Sequence, residues 1–246
     1  MTTIATIEAR MTSTRLPGKV LLPVLGKPLL EYMIERVRRV PELDDIVIAT
    51  TVNDADQPIV ELAERLGVNC FRGSEDDVLE RVLLAAQAYD TDVIVELTGD
   101  CSMIDPAVTS KVINRFFATG ADYAGNVPNP TYPYGMETRV FHRSVLERTA
   151  ELTDDPADHE HVSIFIYEHP ELFKVVHVES GLDPKWIGFR LTLDTPEDYA
   201  LFKQVIETLY PTNPNFTLGD ILDLLESRPE LQTIAQHVKA KPVRGE

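Results

Sequence analysis

The sequence has few cysteines, no long apolar run and fewer basic than acidic residues. Its two cysteines, Cys70 and Cys101, are too few for a disulfide framework, and neither lies in a CxxC pair that would indicate structural zinc. This cysteine usage predicts a reducing compartment, the cytoplasm. No apolar run is long enough to span a bilayer, and no basic segment followed by a long apolar stretch marks a secretion signal at the N-terminus.

The charge balance narrows the class of partner. Lys and Arg number 23 against 40 Asp and Glu, which gives a formal net charge of −17. A nucleic-acid surface needs a basic face to neutralise phosphates, so nucleic acid is not an expected partner. With 43% hydrophobic and 26% charged residues the composition is that of a globular protein, and small molecules are the expected ligands.

The first half of the chain alternates between two hydrophobic periods. Short buried-type strands are predicted at residues 4–9, 45–52, 68–72 and 91–97. Helical spacing follows each of them, at residues 28–40, 55–66, 74–89 and 107–119. Strand and helix in this order predict an α/β fold with a mainly parallel sheet covered on both faces.

The second half is less regular. Residues 126–135 hold three prolines and two tyrosines, which predicts an ordered loop. Further strands are predicted at 136–141, 173–178 and 189–193, and helices at 143–153, 161–168 and 196–210. With no repeat and no flexible linker, the sequence predicts one domain over 1–246, with an elaborated segment at about 126–190.

One loop concentrates positive charge in this acidic chain. The stretch EARMTSTRLPGK, after the first strand, carries Arg10, Arg15 and Lys19 together with hydroxyl side chains and Gly18. It contains neither GxGxxG nor GxxxxGK[ST]. Its position at the carboxyl end of a strand and its cations favour binding of a polyphosphate. The alternative is a solvated basic turn that offsets the acidic surface.

Two aspartates are predicted at the same edge of the sheet. Asp100 follows the strand 91–97 in TGDCSMID, and Asp194 lies in LTLDTPED before a helix. Two such carboxylates can hold Mg²⁺, which prefers oxygen ligands and shares its coordination with phosphates. In the alternative interpretation Asp100 is a turn residue and Asp194 caps the helix near Pro196.

The ends of two other strands leave two interpretations open. The segment 72–77 (RGSEDD) can contact a base and ribose, or Ser74 and the acids after it can cap a helix. Ala49 and Thr50 are either core residues or walls of a base pocket.

Taken together, the segments ARMTSTRLPGK, GKPLLEYMIERV, IVIATT, FRGSEDDVLER, TGDC and LTLDTPEDY resemble the cytidylyltransferases, and most closely the spore-coat polysaccharide biosynthesis protein F group. CMP-ketodeoxyoctulosonate and CMP-acylneuraminate synthetases are more distant relatives. The resemblance covers roughly residues 3–205. It implies a nucleotide-diphosphosugar-transferase-like (Rossmann-like) three-layer fold with a mainly parallel mixed sheet, and a reaction that uses CTP and Mg²⁺.

The resemblance also implies roles for individual residues. Nucleotide binding is expected for Ala9, Arg10, Ser13, Arg15, Lys19, Ala49, Thr50, Arg72, Gly73, Ser74 and Asp77. Metal binding is expected for Asp100 and Asp194, and catalysis for Arg15, Lys19 and Asp100. A homodimer is expected, with residues 126–141 as a candidate contact.

Several positions depart from the family pattern. Glu8 stands where glutamine is usual, and in the segment 134–141 (YGMETRVF) Glu137 and Arg139 replace an aspartate and a glutamate. This segment is expected to belong to the acceptor side, with Tyr134, Glu137, Arg139 and His161 as candidate contacts. An arginine there would favour an acceptor that carries a carboxylate or phosphate. Alternatively, Arg139 lies at the surface or in the dimer interface.

The expected reaction is attack by a hydroxyl of a sugar or sugar acid on the α-phosphorus of CTP, with release of pyrophosphate, in polysaccharide or surface-glycan synthesis. Use of another NTP or of a phosphorylated small-molecule acceptor is an alternative within enzymes. A sugar transferase would be expected to show a DxD motif, and Asp100 has no such partner. A catalytically inactive, nucleotide-binding regulatory protein is the alternative of another class.

Overall fold

The computed structural model describes residues 1–127 and 129–234. Pro128 and residues 235–246, which the predicted single domain includes, lie outside the described residues. The strands are β1 Thr3–Glu8, β2 Pro23–Val24, β3 Lys27–Pro28, β4 Asp45–Thr51, β5 Asn69–Gly73, β6 Val93–Thr98, β7 Tyr123–Gly125, β8 Arg139–His142 and β9 Val175–His177.

The α-helices are α1 Leu29–Val37, α2 Gln57–Leu66, α3 Val78–Ala88, α4 Pro106–Thr119, α5 Arg143–Leu152, α6 Pro156–Glu160, α7 Ile164–Glu168, α8 Pro196–Leu209, α9 Leu218–Ser227 and α10 Pro229–Gln232. Short 3-10 helices cover Lys19–Leu21, Asp54–Asp56 and Pro184–Trp186.

Seven strands form one sheet in the order β5-β4-β1-β6-β8-β7-β9. The strands β5, β4, β1 and β6 are parallel neighbours, β8 is antiparallel to both β6 and β7, and β9 is parallel to β7. The predicted mainly parallel, mixed sheet is therefore confirmed. Because Glu8 pairs with both Ala49 and Thr98, the carboxyl ends of β1, β4 and β6 meet at one edge.

Alternating residues of β1 pack on different faces of the sheet. Ala5 and Ile7 belong to the core that contains Leu30 and Ile113, whereas Ile4 packs with Ala85 on the other face. Apolar side chains therefore cover both faces, as the three-layer prediction requires.

The residues that cap α8 and α3 differ from those suggested by the sequence. The helix α8 begins with a capping box in which Thr195 accepts from the backbone of Asp198 and Asp198 accepts from the backbone of Thr195. The alternative interpretation, in which Asp194 is the cap, is therefore wrong. The cap predicted at Ser74 is also wrong, because the Asp77 carboxylate caps α3 by accepting from Glu80.

The main errors of the sequence prediction lie in the second half. Residues 189–193 form no strand and share only one bridge, between Tyr134 and Arg190. The predicted helix 161–168 forms only over α7, and His161 lies between α7 and the preceding helix α6. At this bridge the Tyr134 amide donates to Phe189 at 2.9 Å and the Leu191 amide donates to Tyr134 at 2.8 Å. A Cβ on Gly135 would lie 2.0 Å from the Leu191 carbonyl oxygen, so this close approach requires glycine.

Candidate active site

A cleft of about 410 Å³ opens at the carboxyl ends of β1 and β6. One group of lining residues comes from the first hundred residues and is called the N-terminal set: Glu8, Ala9, Arg10, Ser13, Thr14, Arg15, Lys19, Val20, Val78, Arg81, Thr98, Gly99 and Asp100. The other group is called the C-terminal set: Tyr134, Glu160, His161, Arg190, Thr192 and Asp194.

The two candidate metal ligands converge on one lysine. The Lys19 Nζ donates to Asp100 Oδ2 at 2.8 Å and to Asp194 Oδ1 at 2.9 Å. A backbone hydrogen bond also joins the two segments: the Leu193 amide donates to the Asp100 carbonyl at 3.0 Å. Carboxylates distant in the sequence therefore share one site.

Two arginines complete the surroundings of Asp194. Its Oδ1 lies 2.9 Å from Arg15 Nη2, and its Oδ2 lies 3.0 Å from Arg190 Nη2. Arg190 Nη2 also contacts the buried Asp198 at 3.2 Å. Asp194 thus contacts three cations, and one of its arginines is oriented by a second carboxylate.

The ion pairs fix the charge states in the cleft. Burial opposes the charge on Lys19, but the Asp100 and Asp194 carboxylates outweigh it and raise the pKa of Lys19 above its ordinary value. Burial likewise opposes ionisation of Asp100, but Lys19 outweighs it and lowers the pKa of that carboxyl. Lys19 and Asp100 are therefore both charged at neutral pH.

The donor set fits a hard divalent cation. Asp100 and Asp194 offer carboxylate oxygens, and within the described part of the chain no group of three or more His, Cys, Asp or Glu side chains is placed to hold a metal. Mg²⁺ is commonly held by one or two carboxylates, with substrate phosphates and water supplying the other ligands.

The predicted nucleotide-binding residues fall into two groups. Five line the cleft: Ala9, Arg10, Ser13, Arg15 and Lys19. Six are not among its lining residues: Ala49, Thr50, Arg72, Gly73, Ser74 and Asp77.

Four residues of the second group are buried in the core or make contacts within the protein. Ala49 and Thr50 are fully buried, as expected of core residues. Arg72 donates to the carbonyls of Thr51 and Asn53 at 2.9 and 2.7 Å. Asp77 accepts from His159 Nδ1 at 2.7 Å in addition to capping α3.

The four candidate acceptor residues also divide. Tyr134 and His161 line the cleft, whereas Glu137 and Arg139 do not. Glu137 accepts from the Gly135 amide at 2.6 Å. Arg139 Nη1 lies 3.3 Å from Glu96 Oε1, and the Arg139 side chain is only 16% exposed, so the alternative of a surface arginine is wrong for this chain.

A buried charge layer is formed by Glu8, which lines the cleft, and by Glu96 and Arg139, which do not. Burial, reinforced by the charge of Glu96, raises the pKa of Glu8 to about 8. Burial raises the pKa of Glu96 as well, against the opposing charge of Arg139. Glu8 Oε1 is buried and accepts no hydrogen bond from any described residue.

Sequence reasoning missed Arg81, Arg190 and Thr192 as lining residues. A usable signal exists for the last two: Arg190, Thr192 and Asp194 alternate with Leu191 and Leu193, which are fully buried. In an extended segment such alternation puts every second side chain on one side. Within the described residues, Arg190 Nε and Thr192 Oγ1 are buried without a hydrogen-bond partner.

Among the described helices none combines the length and apolar character needed to cross a membrane.

The model of the family described as cytidylyltransferase matches residues 4–226 of this chain.

The chain is also similar to individual proteins. It is 34% identical over 92% of its length to spore coat polysaccharide biosynthesis protein SpsF of Bacillus subtilis, of which it covers 95%. It is 32% identical to a 3-deoxy-manno-octulosonate cytidylyltransferase of Trichlorobacter lovleyi, over 47% of this chain and 45% of that protein.

Among solved structures, a cytidylyltransferase from Leptospira borgpetersenii superposes with a TM-score of 0.89 at 32% identity, covering 98% of this chain and 100% of that one. The family model, the Bacillus relative and the Leptospira structure each cover most of the chain. The chain therefore belongs to the cytidylyltransferase family and is a CTP-dependent nucleotidyltransferase.

Proposed function

We propose that this enzyme transfers CMP from CTP to a hydroxyl of a sugar or sugar acid and releases pyrophosphate. The observation that carries the proposal is the convergence of Asp100 and Asp194 on Lys19 inside a cleft that Arg15 also lines. The clustered cations can bind the negatively charged triphosphate, and the two carboxylates can bind its metal counter-ion.

The N-terminal set is proposed to bind the nucleotide. Arg10 and Arg15 can each grip phosphate oxygens with two hydrogen bonds, while Lys19 acts as a compact point charge. Arg81 lines the cleft too, and its Nε is buried without a partner among the described residues. It adds a cation that the sequence motifs did not indicate.

Asp100 and Asp194 are proposed to hold Mg²⁺. When bound, the ion would neutralise phosphate charge and polarise the α-phosphate. The side chains of the enzyme supply position and charge around it. Arg190 orients the Asp194 carboxylate, and the backbone bond from Leu193 to Asp100 keeps the two aspartates close together.

In the reaction, an acceptor hydroxyl oxygen forms a bond to the α-phosphorus, and the bond from that phosphorus to the bridging oxygen of the leaving pyrophosphate breaks. The hydroxyl proton is lost to solvent. Arg15 and Lys19 stabilise the negative charge that develops on the leaving group. Such transfers require positioning and charge neutralisation more than covalent participation of the protein.

The C-terminal set is proposed to bind the acceptor. Tyr134, His161, Arg190 and Thr192 can all donate hydrogen bonds, which suits a ligand rich in hydroxyl and carboxylate oxygens. The octulosonate named for the Trichlorobacter relative is an acceptor of this kind. The name of the Bacillus relative supports a role in polysaccharide biosynthesis.

Three further expectations stay predictions: a single domain over 1–246, a homodimer that uses residues 126–141, and a cytoplasmic location. Size-exclusion chromatography with light scattering tests the second directly. A monomeric mass at micromolar concentration would contradict it.

The test of the function is pyrophosphate release. The enzyme is incubated with Mg²⁺, each of the four ribonucleoside triphosphates in turn, and a panel of acceptors that includes 3-deoxy-manno-octulosonate and neutral hexoses. We expect release with CTP and a sugar acid, and none without acceptor. Equal release with all four nucleotides, or none with any acceptor, contradicts the proposal.

A further inference from the structure

We propose that Lys19 occupies the divalent-cation position between Asp100 and Asp194 and leaves it only when a nucleoside triphosphate draws the ammonium away. Metal binding and nucleotide binding are then coupled through one side chain. The inference rests on the proposed function, because it requires the metal to bind at these two aspartates.

The first step is steric and electrostatic. Lys19 Nζ lies 2.8 and 2.9 Å from one oxygen of each carboxylate, and the exposed fractions of the Lys19, Asp100 and Asp194 side chains are 13%, 25% and 14%. Mg²⁺ binds oxygen at about 2.0–2.1 Å. An ion that takes the same two oxygens must therefore displace the ammonium.

The second step concerns how Lys19 can move. Its backbone is fixed, because Lys19 begins a 3-10 helix, its amide donates to Leu16 at 3.1 Å and the Gly18 amide donates to Met11 at 2.9 Å. The side chain has a flexible four-carbon stem. The ammonium can therefore change partner without movement of the loop.

The third step is the availability of another partner. Lys19 lines the same cleft as Arg10, Ser13 and Arg15. A triphosphate bound there brings oxygens that carry more charge than a single carboxylate. It competes for Lys19 and leaves the two aspartates without that cation.

The final step explains why the metal must follow. Asp194 keeps Arg190 when Lys19 leaves, but the only cation that Asp100 contacts within the described residues is Lys19. Asp100 then needs a new positive charge, which a divalent ion supplies. By thermodynamic linkage, the nucleotide and the metal change each other's binding affinity by the same factor.

The coupling is tested by Mn²⁺ binding, followed by electron paramagnetic resonance, to the protein without nucleotide. Lys19→Met should bind Mn²⁺ at least about tenfold more tightly than wild type, which corresponds to about 1.4 kcal/mol. Lys19→Arg keeps a cation and should bind as weakly as wild type. The double variant Lys19→Met with Asp100→Asn should lose the gain in Mn²⁺ affinity. That loss would show that the additional affinity of Lys19→Met arises at this site.

Lys27→Met is the matched control. Lys27 Nζ is likewise paired with a carboxylate, Glu35, at 2.6 Å, but it is not among the residues that line the cleft. Its Mn²⁺ affinity should equal that of wild type.

Two results would overturn the proposal, and they differ in what else they remove. Equal Mn²⁺ affinity of wild type and Lys19→Met removes the Lys19 coupling and leaves the proposed function intact. Absence of Mn²⁺ binding by every variant, with and without CTP, removes the metal site and with it the proposed function.

Discussion

The N-terminal and C-terminal sets of the cleft are built in different ways. Most of the N-terminal set lies within residues 8–20, directly after β1, so one loop delivers it. The C-terminal set comes from three separate segments, around residues 134, 160 and 190–194, and none of its residues lies in a β-strand. The compact motif could be read from sequence as one unit, whereas only part of the dispersed set was predicted: Tyr134, His161 and Asp194, but not Arg190 or Thr192.

The two halves of the chain meet at the buried charge layer. Arg139 on β8 pairs with Glu96 on β6, and these residues are register partners across the antiparallel β6–β8 pair. This contact joins the parallel part of the sheet to the irregular half. Substitution of Arg139 therefore tests first whether this contact holds the two halves together.

Arg139→Met should produce the largest effect, on stability. It leaves the buried Glu96 without its cation, and removing one partner of a buried pair typically costs about 3–5 kcal/mol. The free energy of unfolding, measured by urea denaturation, should fall by about this amount. Arg143→Met breaks the more exposed Arg143–Glu147 pair and should change little. Equal stability of the two variants would show that the layer does not join the halves.

Asp100→Asn should produce the next largest effect, on the rate. Loss of one electrostatic contact to the reacting groups costs about 3 kcal/mol, or about a hundredfold in kcat. Asp92 lies just before β6, at the other end of the strand from Asp100, and Asp92→Asn should retain full activity. Pyrophosphate release and melting temperature are measured for both. Comparable activity of the two variants would remove Asp100 from the site.

Glu8→Gln should alter how stability depends on pH. The pKa of Glu8 is raised to about 8, so the folded protein retains a proton that the unfolded chain has lost at lower pH. Wild-type stability therefore falls as the pH rises from about 4.5 to 8, and glutamine removes this loss. The difference in melting temperature between Glu8→Gln and wild type should change by a few degrees in favour of the variant from pH 5 to pH 9. A constant difference across this range would contradict the burial argument.

Thr192→Val should have the smallest effect and should act on one substrate alone. It removes one hydroxyl from the C-terminal set, and a hydrogen bond contributes about 0.5–1.5 kcal/mol, so the acceptor KM should rise up to about tenfold while the KM for CTP stays constant. Thr192→Ser should restore the wild-type value.

Thr6→Val is the matched control for that variant. The Thr6 hydroxyl is also buried without a partner among the described residues, but Thr6 does not line the cleft. Both KM values should stay unchanged. A parallel rise of both KM values in Thr192→Val would show that Thr192 acts on structure and not on the acceptor.

The predictive power of the sequence follows the same division. In the first half, periodicity and the Gly67 stop located the parallel strands and their helices, because local pattern and tertiary context agree there. The placement of Lys19 and Asp100 at one edge followed from the ends of strands that do form, whereas Asp194 was placed there from a predicted strand, 189–193, that does not form.

The remainder depended on contacts that sequence spacing does not show. Arg139 was expected on the acceptor side because it departs from the family pattern in the segment 134–141, yet it pairs with Glu96 on a different strand. The segment 189–193 has strand periodicity but forms a single bridge, between Arg190 and Tyr134, at a close backbone approach that Gly135 permits. Arg81 is a helical residue whose position over the cleft depends on how α3 packs on the sheet.

The central claim is that the two aspartates and the cationic loop surround one metal-bound nucleotide. The most direct measurement is anomalous diffraction from crystals grown with Mn²⁺ and CTP. We predict one manganese peak bonded to a carboxylate oxygen of Asp100 and of Asp194 and to a phosphate oxygen of CTP, with Arg15 and Lys19 on the phosphates. A nucleotide bound outside this cleft, or a manganese peak away from both aspartates, would contradict the account.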